Sequence, residues 1–245
     1  MIIHFSESTS APYNLATEEF LFTEKKENIL FLYVNEPSVI IGCNQVLSNE
    51  VNSRYCTENN LKIMRRLSGG GAVYHDTGNL NYCFISNRQD GISAIESDFL
   101  TNVILVLHQL NIPVHIGKRK DLYLPGEFKI SGTASHVTRQ RQLHHGTLLY
   151  DSDLSALQQA LLVKEKDVTK KGIASVPSPV KNIKTYLIEN NLVAPTATEF
   201  FYEIPKQFEK LYPSVSELHL TTDDCSRIQQ YCHEKYETKE WIWKK

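Results

Sequence analysis

The sequence predicts an α/β domain whose C-terminal portion is helical. Apolar segments of strand length, mixed with amphipathic helical patterns, fill the chain as far as Tyr150, and helical patterns dominate after it. The 245 residues suit one large domain or two small ones, and the 41% of apolar residues is enough for a sizeable core. Neither a repeat nor a low-complexity linker divides the sequence. A single domain over residues 1–245 is therefore expected.

The first half of the chain mixes both kinds of element. Asn14 is a good N-cap for an amphipathic helix over 15–26. Two buried strands follow on either side of a turn at Pro37, and the strand that enters the glycine run is expected to return directly after it. The predicted elements after the first helix are strands over 29–34, 39–41, 62–67, 72–75 and 80–85 and helices over 46–60 and 97–110.

The second half begins with two further strands and ends in helices. The strands are expected over 129–131 and 147–150, and Asp153 should cap a helix that ends near residue 162. A proline-containing loop over 170–182 follows this helix. The last three helices are predicted near 182–190, 198–211 and 222–236.

The most informative segment is Arg65-Arg66-Leu67-Ser68-Gly69-Gly70-Gly71-Ala72-Val73-Tyr74-His75-Asp76. Three consecutive glycines let the backbone pass close to a ligand, and their amides can point at anionic oxygens. The two arginines add positive charge that changes of pH do not remove. The segment lacks the Gly-Lys-Ser/Thr of a Walker A loop and the third spaced glycine of a Rossmann fingerprint. It therefore predicts an anion site, with a glycine-rich hairpin beside a solvated arginine pair as the alternative.

Further blocks accompany the glycine segment. They are Asn14-Leu15-Ala16-Thr17-Glu18-Glu19, Lys129-Ile130-Ser131-Gly132-Thr133-Ala134-Ser135, His144-His145-Gly146-Thr147-Leu148-Leu149-Tyr150-Asp151, and Lys171-Gly172-Ile173-Ala174-Ser175-Val176 running on to Val180 and Asn182. In this order and over most of the chain, the blocks resemble lipoate-protein ligase A. That family adenylates lipoic acid with ATP and attaches the lipoyl group to a lysine of an acceptor domain. The resemblance implies the mixed-sheet catalytic fold that biotin and lipoate ligases share.

Lys129 is the leading catalytic candidate. In a strand, Lys129 and Ser131 share one face while Ile130 points to the other, and the small residues that follow leave room for a substrate. The resemblance implies that Lys129 contacts both the lipoyl carbonyl oxygen and the α-phosphate. The alternative is a surface lysine that protects an edge strand from aggregation.

The resemblance also implies the ligand-binding residues around the glycines. For ATP they are Arg66, Gly71, Ala72, Val73, Tyr74 and Lys129. For lipoate they are Lys129, Arg66, Gly71 and His75. Strand alternation turns Arg65 away from Arg66, so Arg65 is expected to be structural or exposed at the rim. Gly69 and Gly70 are expected to shape the turn, and a bulkier residue at Gly71 should obstruct the ligand directly.

Neighbouring polar residues are not expected to pair. His75 and Asp76 face opposite ways in a strand, so they do not form a catalytic dyad, and His75 is expected to line the pocket. His144 and His145 alternate likewise, so one faces the site or serves as a satisfied core histidine. Asn79 either bonds the ligand or closes a turn.

Magnesium is expected from the ATP chemistry rather than from a ligand motif. Mg²⁺ commonly takes one carboxylate together with phosphates and waters. Asp121 lies in a stretch that resembles the family's Arg-x-Asp-Leu segment and is the metal-ligand candidate, with a turn-stabilising aspartate as the alternative. Neither an HExxH helix nor a His/Cys cluster in the sequence supports a zinc site. The acyl tail needs an apolar slot, for which Val73 and Leu67 are candidates.

The overall charge gives no global attraction to nucleic acid or to an anionic membrane, because 26 basic and 28 acidic residues leave a net charge of -2. Basic residues do cluster between Lys118 and His145, either as a solvated face or as a basic rim for nucleotide phosphates or an acidic acceptor domain. The longest apolar run, 29–34, is far shorter than the ~20 residues of a membrane-spanning helix. The five cysteines form no CxxC pair and the start of the chain lacks a signal-peptide pattern, which favours reduced thiols in the cytoplasm.

The predicted function is ATP-dependent activation of lipoic acid to lipoyl-AMP and transfer of the lipoyl group to 2-oxoacid dehydrogenase E2 subunits and the glycine cleavage H protein. The chain stops shortly after Trp243, about where the family's large domain ends. We therefore expect no C-terminal accessory domain, and a separately encoded accessory protein is a further expectation. Two alternatives stay open. One is a lipoyl or octanoyl transferase, or a partner-dependent ligase, that uses a preactivated acyl group; the other is a non-catalytic lipoate- or nucleotide-binding module. The missing Gly-Arg-Gly-Arg-type loop disfavours a biotin ligase.

Overall fold

The computed structural model describes residues 1–88, 99–163, 167, 169, 171–212 and 214–244. Strands and helices are mixed in its first two thirds, and helices dominate the remainder. In chain order the elements are β1 (Ile2–Phe5), α1 (Ala11–Glu24), β2 (Ile29–Val34), β3 (Ser38–Ile41), α2 (Leu47–Glu50), α3 (Ser53–Glu58), β4 (Lys62–Arg65), β5 (Val73–His75), β6 (Asn79–Asn87), α4 (Phe99–Gln109), β7 (His115–Ile116), β8 (Leu122–Leu124), β9 (Phe128–Ser131), β10 (Thr133–Val137), β11 (Arg141–Leu149), α5 (Leu154–Leu161), α6 (Ile183–Glu189), α7 (Ala197–Leu211), β12 (Ser216–Glu217), α8 (Thr222–Tyr231) and α9 (Lys239–Ile242). A π-helical turn, Cys232–Tyr236, follows α8 directly.

The central sheet has six strands in the order β10-β11-β6-β2-β1-β12. β1 runs parallel to β2 and to β12, and the other neighbours are antiparallel. Along β2, Phe31 and Tyr33 face one hydrophobic cluster, whereas Leu30 and Leu32 face another. Because both faces of the sheet are covered, β2 is a continuous apolar run rather than an alternating one. The mixed α/β fold class predicted from the sequence is confirmed.

The helices divide between the two faces of the central sheet. α1 and α8 pack on the first face, with Leu15 and Ile228 in its hydrophobic cluster. α4, α6 and α7 pack on the second, where Val103, Leu187 and Ile204 are buried. The C-terminal helices therefore complete the layers that cover the sheet.

None of the described helices is both long and apolar enough to cross a membrane.

A three-stranded sheet of order β4-β3-β5 carries the glycine segment. β3 is central, parallel to β4 and antiparallel to β5. The return strand predicted over 72–75 is present as β5, but it pairs with β3 rather than with β4, so the glycine segment is not a hairpin. The glycine turn packs over the end of β3, where a Cβ on Gly42 would lie only 2.2 Å from the carbonyl oxygen of Gly70. This close approach carries the chain across to the far side of β3.

The first helix begins earlier than the sequence predicts. Ser10 is the N-cap residue of α1 and Pro12 occupies its first turn, a position that proline favours. Asn14 is therefore not the N-cap. Its buried side chain instead donates to the carbonyl oxygen of Ser8 and to the side-chain oxygen of Asn35.

Other boundaries are confirmed or shifted by local geometry. The helix predicted over 46–60 is divided into α2 and α3, because the backbone is extended at Val51 and Asn52 caps α3. Asp153 caps α5 as predicted, and its carboxylate accepts from the amide of Ala156. The strand predicted over 147–150 is the end of the longer β11. The first residues of the predicted 97–110 helix and of the predicted 170–182 loop lie outside the described residues.

Arg65 is fully buried, so its expected structural role is confirmed and exposure at the rim is wrong. Its guanidinium donates to main-chain carbonyl oxygens in the segments 42–45 and 241–244. The acceptors are the carbonyl oxygens of Gly42, Cys43, Gln45, Trp241, Ile242 and Lys244. The indole N–H of Trp241 donates back to the carbonyl oxygen of Arg65 at 2.7 Å. One side chain therefore ties the segment around α9 to the loop beside the glycine turn.

Replacing Arg65 with methionine should lower the free energy of unfolding by about 3 kcal/mol or more, because several buried carbonyl oxygens lose a charged donor. Chemical denaturation followed by tryptophan fluorescence measures this change. Arg54→Met is the matched control, since Arg54 pairs with Glu58 on the surface and its loss should leave the unfolding midpoint unchanged. Equal stability of Arg65→Met and the wild type contradicts the structural role.

Candidate active site

Two cavities meet beside the glycine turn. The first has a volume of about 360 Å³ and the second a volume of about 610 Å³. Their shared wall consists of Ala72, Val73, Lys129, Gly132, Thr147, Ser175 and Val176. Lys129 lies at this junction, and Gly71 lines the first cavity with it. Lys129 and the glycines therefore face a common cleft.

The two cavities differ in their chemistry. The first cavity combines charged and polar side chains, such as Arg66 and Lys129, with apolar residues that include Leu15, Ile40 and Val73. The second is walled mainly by apolar side chains of α5 and its surroundings, which include Tyr74, Leu149, Leu154, Leu157 and Leu161. Of the two residues expected in an apolar slot, Val73 lines both cavities. Leu67 lines neither and packs against the hydrophobic core.

Arg66 shapes the glycine turn. Its guanidinium donates from Nη2 to the carbonyl oxygens of Gly69 and Gly71, and from Nη1 to that of Ile40 at 3.1 Å. Gly70 has a φ of 85°, which favours glycine. Burial lowers the pKa of Arg66 to about 10, so the group stays charged at neutral pH. Arg66, which the resemblance assigns to ATP binding, thus uses these donors to hold the glycine turn.

Residues 171–180, which we call the strap, close over the glycine turn. The hydroxyl of Ser175 accepts from the amide of Ala72 at 2.9 Å and from the side-chain amide of Gln45 at 3.1 Å. The backbone N–H of Ser175 donates to the carboxylate of Glu50 at 3.0 Å. A Cβ on Gly71 would lie 3.0 Å from that hydroxyl oxygen, so a larger residue there meets the strap first.

Lys129 forms an ion pair with Asp121. Its Nζ lies 3.1 Å from Oδ2 of Asp121, and the Lys129 side chain is only 21% exposed. Burial opposes ionisation of Asp121, but the hydrogen bond and charge of Lys129 outweigh it and lower the pKa of that carboxyl. The strand is not an open edge, because the Lys129 amide donates to the carbonyl oxygen of Pro179 and Lys129 pairs with Val180. β9 is the outer strand of the sheet β7-β8-β9, as the edge-strand alternative requires, but the Lys129 side chain pairs with Asp121 at the cleft.

His75 lines the first cavity as expected. Its Nδ1 accepts from the side-chain amide of Asn35 at 3.0 Å, which leaves Nε2 as the protonated ring nitrogen. That Nε2 is buried and has no hydrogen-bond partner among the described residues. Burial, together with the charge of Arg66, lowers the pKa of His75 to about 3. The neutral ring thus has a free N–H at the cavity.

Strand alternation separates the polar neighbours as predicted. Asp76 turns away from His75 and accepts from the amides of Gly78 and Asp153, so the two form no dyad. His145 lines the first cavity, whereas His144 stacks on Phe99 on the other face. The side chain that closes the turn over residues 77–79 is therefore that of Asp76. The side chain of Asn79 instead donates to that of Asn81.

The predicted basic rim divides into two groups. Arg119 lines the first cavity, and its guanidinium lies 3.6 Å from the Asp121 carboxylate. Arg141 instead lies at the end of α1, where it donates to the carbonyl oxygens of Phe22 and Lys26. Positive charge at the cleft therefore comes from fewer residues than the sequence indicates.

One group of potential metal ligands is found in the part of the chain that the structure describes. Atoms of Glu18, Cys83 and His145 lie within 4.8 Å of one another, and all three residues are buried. Burial and the neighbouring Glu18 raise the pKa of the Cys83 thiol well above its usual range, which disfavours the thiolate that a metal requires. Glu18 and His145 are also hydrogen-bonded to each other. In this structure the group is a buried, hydrogen-bonded cluster.

Known proteins share this sequence pattern. The family model described as Lipoyl protein ligase A/B catalytic domain matches residues 10–208. The lipoate-protein ligase LplJ of Bacillus subtilis (strain 168) is 39% identical over 233 residues, which cover 93% of this chain and 69% of that protein.

Solved structures share the fold over nearly the whole chain. A putative lipoate protein ligase from Thermoplasma acidophilum with bound lipoic acid has a TM-score of 0.81 and 27% identity, with 98% of both chains covered. A lipoate-protein ligase A bound with ATP has a TM-score of 0.81 and 26% identity, covering 98% of this chain and 97% of that one. A bi-partite lipoate protein ligase from T. acidophilum, studied with its E2 lipoyl domain, has a TM-score of 0.83 and 27% identity, covering 98% and 95%.

The mixed-sheet α/β fold is the one that lipoate-ligase structures share. The chain belongs to the lipoyl protein ligase A/B catalytic-domain family and is a lipoate–protein ligase. The resemblance carried by the glycine segment and the Lys129 block is confirmed.

The histidine at the cavity predicts how stability depends on pH. His75 has an ordinary pKa of 6.5 when unfolded and one of about 3 when folded, so only the unfolded chain binds its proton between these values. Stability is therefore lost as pH falls below 6.5, and His75 accounts for roughly 2 kcal/mol of this loss at pH 5. Melting temperatures from pH 7.5 to 4.5 should fall less steeply for His75→Gln than for the wild type. The exposed His219 offers a control in His219→Gln, and parallel curves for all three proteins contradict the burial argument.

Proposed function

We propose that the first cavity binds lipoic acid, that the second binds the nucleotide, and that Lys129 serves both at their junction. The observation that carries this proposal is the place of Lys129 on the shared wall. Forming an acyl-adenylate requires the carboxylate oxygen and the α-phosphorus to lie roughly 3–3.5 Å apart. An ammonium at their meeting point offsets the negative charge that both reactants bring.

The first cavity suits an acid with an apolar tail. Leu15, Ile40 and Val73 supply apolar surface, and the N–H of His75 supplies a donor without a charge. In this proposal the carboxylate faces Lys129. All four residues assigned to lipoate, namely Lys129, Arg66, Gly71 and His75, line this cavity, which supports the assignment.

The second cavity suits a nucleotide. Ala72, Val73 and Tyr74 bring the segment after the glycines to its wall, opposite leucines of α5 that offer a flat base an apolar surface. Arg66 and Gly71 line the first cavity instead, next to the junction. We therefore assign Arg66 an indirect part in ATP binding: it holds the turn that the phosphates approach, and it adds positive charge.

The reaction has two steps in this proposal. A carboxylate oxygen of lipoic acid attacks the α-phosphorus of ATP, and pyrophosphate leaves. The amine of an acceptor lysine then attacks the acyl carbon, loses a proton and expels AMP. Lys129 stabilises the charge on the carbonyl and phosphate oxygens in both steps, while Asp121 holds the ammonium at the junction.

A magnesium site fits the same position. Oδ1 of Asp121 is buried without a hydrogen-bond partner among the described residues, although Oδ2 pairs with Lys129 and accepts from Tyr123. A free carboxylate oxygen beside the cleft is the donor that Mg²⁺ takes together with phosphates and waters. When bound, the ion would neutralise phosphate charge.

The proposal also covers the partners of this protein and its compartment. The acceptors are lipoyl domains of E2 subunits and the glycine cleavage H protein, and the neighbour studied with its E2 lipoyl domain supports this. The same neighbour is bi-partite, which supports a separate accessory protein for this chain. The five free cysteines support a reducing, cytoplasmic compartment.

Lys129→Met should fold normally and lose about 100-fold or more of lipoate-dependent ATP–pyrophosphate exchange, because a preorganised cation at the reacting oxygens is removed. Lys129→Arg should not restore the rate, since a planar fork does not replace a point charge. Lys118→Met changes an exposed lysine of the predicted rim and is the control. Full exchange by Lys129→Met contradicts the catalytic assignment, and a melting temperature that falls with the activity makes Lys129 structural.

The same assays separate the alternatives. Exchange by the purified chain supports complete adenylation. No exchange, together with transfer from synthetic lipoyl-AMP, indicates a transferase or a partner-dependent ligase. Tight lipoate binding with no modification of a lipoyl domain indicates a binding module.

Asp121→Asn should raise the Mg²⁺ concentration for half-maximal exchange about tenfold, because a neutral oxygen replaces the charged ligand. The amide oxygen still accepts from Lys129, so the KM for lipoate should change little. Asp151→Asn, which loses a pair with Lys184 away from both cavities, is the control. An unchanged Mg²⁺ titration contradicts the metal-ligand role and leaves Asp121 as a partner of Lys129 alone.

A further inference from the structure

Glu18 is a buried carboxylate beside the first cavity, and the proposed function gives it no part. It lies on α1 and is only 2% exposed. Tyr33 donates its hydroxyl proton to Glu18 at 3.0 Å, and Nδ1 of His145 lies 3.0 Å from both carboxylate oxygens. A carboxylate so deeply buried needs such partners to offset its lost hydration.

The hydrogen bonds continue from His145 to the glycine turn. Nε2 of His145 lies 2.6 Å from Oγ of Ser68, and that oxygen lies 3.0 Å from Nε of Arg66. Arg66 in turn holds the carbonyl oxygens of Gly69 and Gly71. A continuous chain of side chains thus links α1 to the turn.

Donor counting fixes the direction of this chain. The ionised carboxylate of Glu18 can only accept, so Nδ1 of His145 donates to it and carries the ring proton. In the neutral ring Nε2 is then an acceptor, which takes the hydroxyl proton of Ser68, while Oγ of Ser68 accepts from Nε of Arg66. Each member therefore has one orientation that satisfies every partner, and the network is rigid for that reason.

The hydrogen-bonded network also joins two buried opposite charges. Arg66 carries a positive charge at one end and Glu18 a negative charge at the other, and the two interact favourably through the low-dielectric interior. Removing the carboxylate would leave the buried guanidinium less well compensated. The force that keeps Arg66 on the glycine carbonyls therefore depends in part on Glu18.

Serine, histidine and glutamate in this order resemble the arrangement of a nucleophilic triad. Ser68 is fully buried and lines neither cavity. Its oxygen already accepts a hydrogen bond from Arg66, which lowers its reactivity toward an acyl group. The geometry supports an orienting network rather than a covalent intermediate on Ser68.

We propose that Glu18, His145 and Ser68 form a positioning relay that holds Arg66 on the glycine turn and so prepares the turn for ATP. The proposal rests on the proposed function, because it assigns the relay to the adenylation step. Glu18 and Ser68 touch neither substrate in this scheme and act through Arg66, so they are positioning residues. His145 orients the relay and also lines the acyl cavity.

The test is a double-mutant cycle with Glu18→Gln, Ser68→Ala and the double variant. Glu18→Gln keeps the shape of the side chain and an acceptor oxygen, and removes the charge. Glu19→Gln is the matched control, because the neighbouring Glu19 pairs with Lys235 and Tyr236 away from both cavities. The readouts are kcat/KM for ATP and for lipoate in ATP–pyrophosphate exchange, the melting temperature, and the ¹⁵N–¹H spectrum of the histidine rings.

Each single variant should lose roughly 10- to 100-fold in kcat/KM for ATP, the effect of one buried charged hydrogen bond. The double variant should be no worse than the more damaging single one, because both changes break the same chain. Glu19→Gln should match the wild type. The wild-type spectrum should show His145 with its proton on Nδ1, and Glu18→Gln should shift that signal.

Three results would overturn the relay. They are an unchanged kcat/KM in Glu18→Gln, a double variant whose loss is the product of the single losses, and losses that follow the melting temperature alone. If the wild type itself shows no exchange, adenylation by the purified chain alone is contradicted instead. The histidine spectrum then still decides the relay, and a proton on Nε2 of His145 would exclude it.

Discussion

The glycine turn depends on a buried guanidinium. Three consecutive glycines carry a high conformational entropy, and one of them, Gly70, has a backbone conformation that few other residues adopt. Arg66 offsets this cost by donating to the carbonyl oxygens on both sides of Gly70. Such donors are worth most where water is excluded, and Arg66 is buried. The turn is therefore shaped before any ligand arrives.

β4, the strand that leads into Arg66, is also held by the residue before it. Arg65 points to the opposite face of β4 and binds main-chain carbonyl oxygens of the segment around α9 and of the loop that begins at Gly42. The glycine turn packs closely against Gly42. Consecutive arginines thus connect the C-terminal segment, the end of β3 and the cleft into one rigid unit.

The cleft contains both a charged hydrogen-bond donor and a neutral one. At the junction of the cavities, Lys129 is held by Asp121, so the ammonium is in place before the reactants bring their negative charge. Farther inside, burial keeps His75 neutral, and its ring offers a hydrogen-bond donor without a charge. This gradient suits a substrate with an ionised head and an apolar tail. In the proposed reaction the protein acts mainly by alignment and by stabilising charge on oxygens.

Features that depend on neighbouring residues could be predicted before the structure was known. The periodicity of the sequence predicted most strands and helices, and the alternation of side chains along a strand correctly separated His75 from Asp76. Its resemblance to a known family pointed to Lys129. The structure was needed to show which strand pairs with β5, that Arg66 holds the glycine turn, and that Glu18 lies beside the cleft. These depend on contacts between residues far apart in the chain, whose geometry is set by how the layers pack and not by any local pattern.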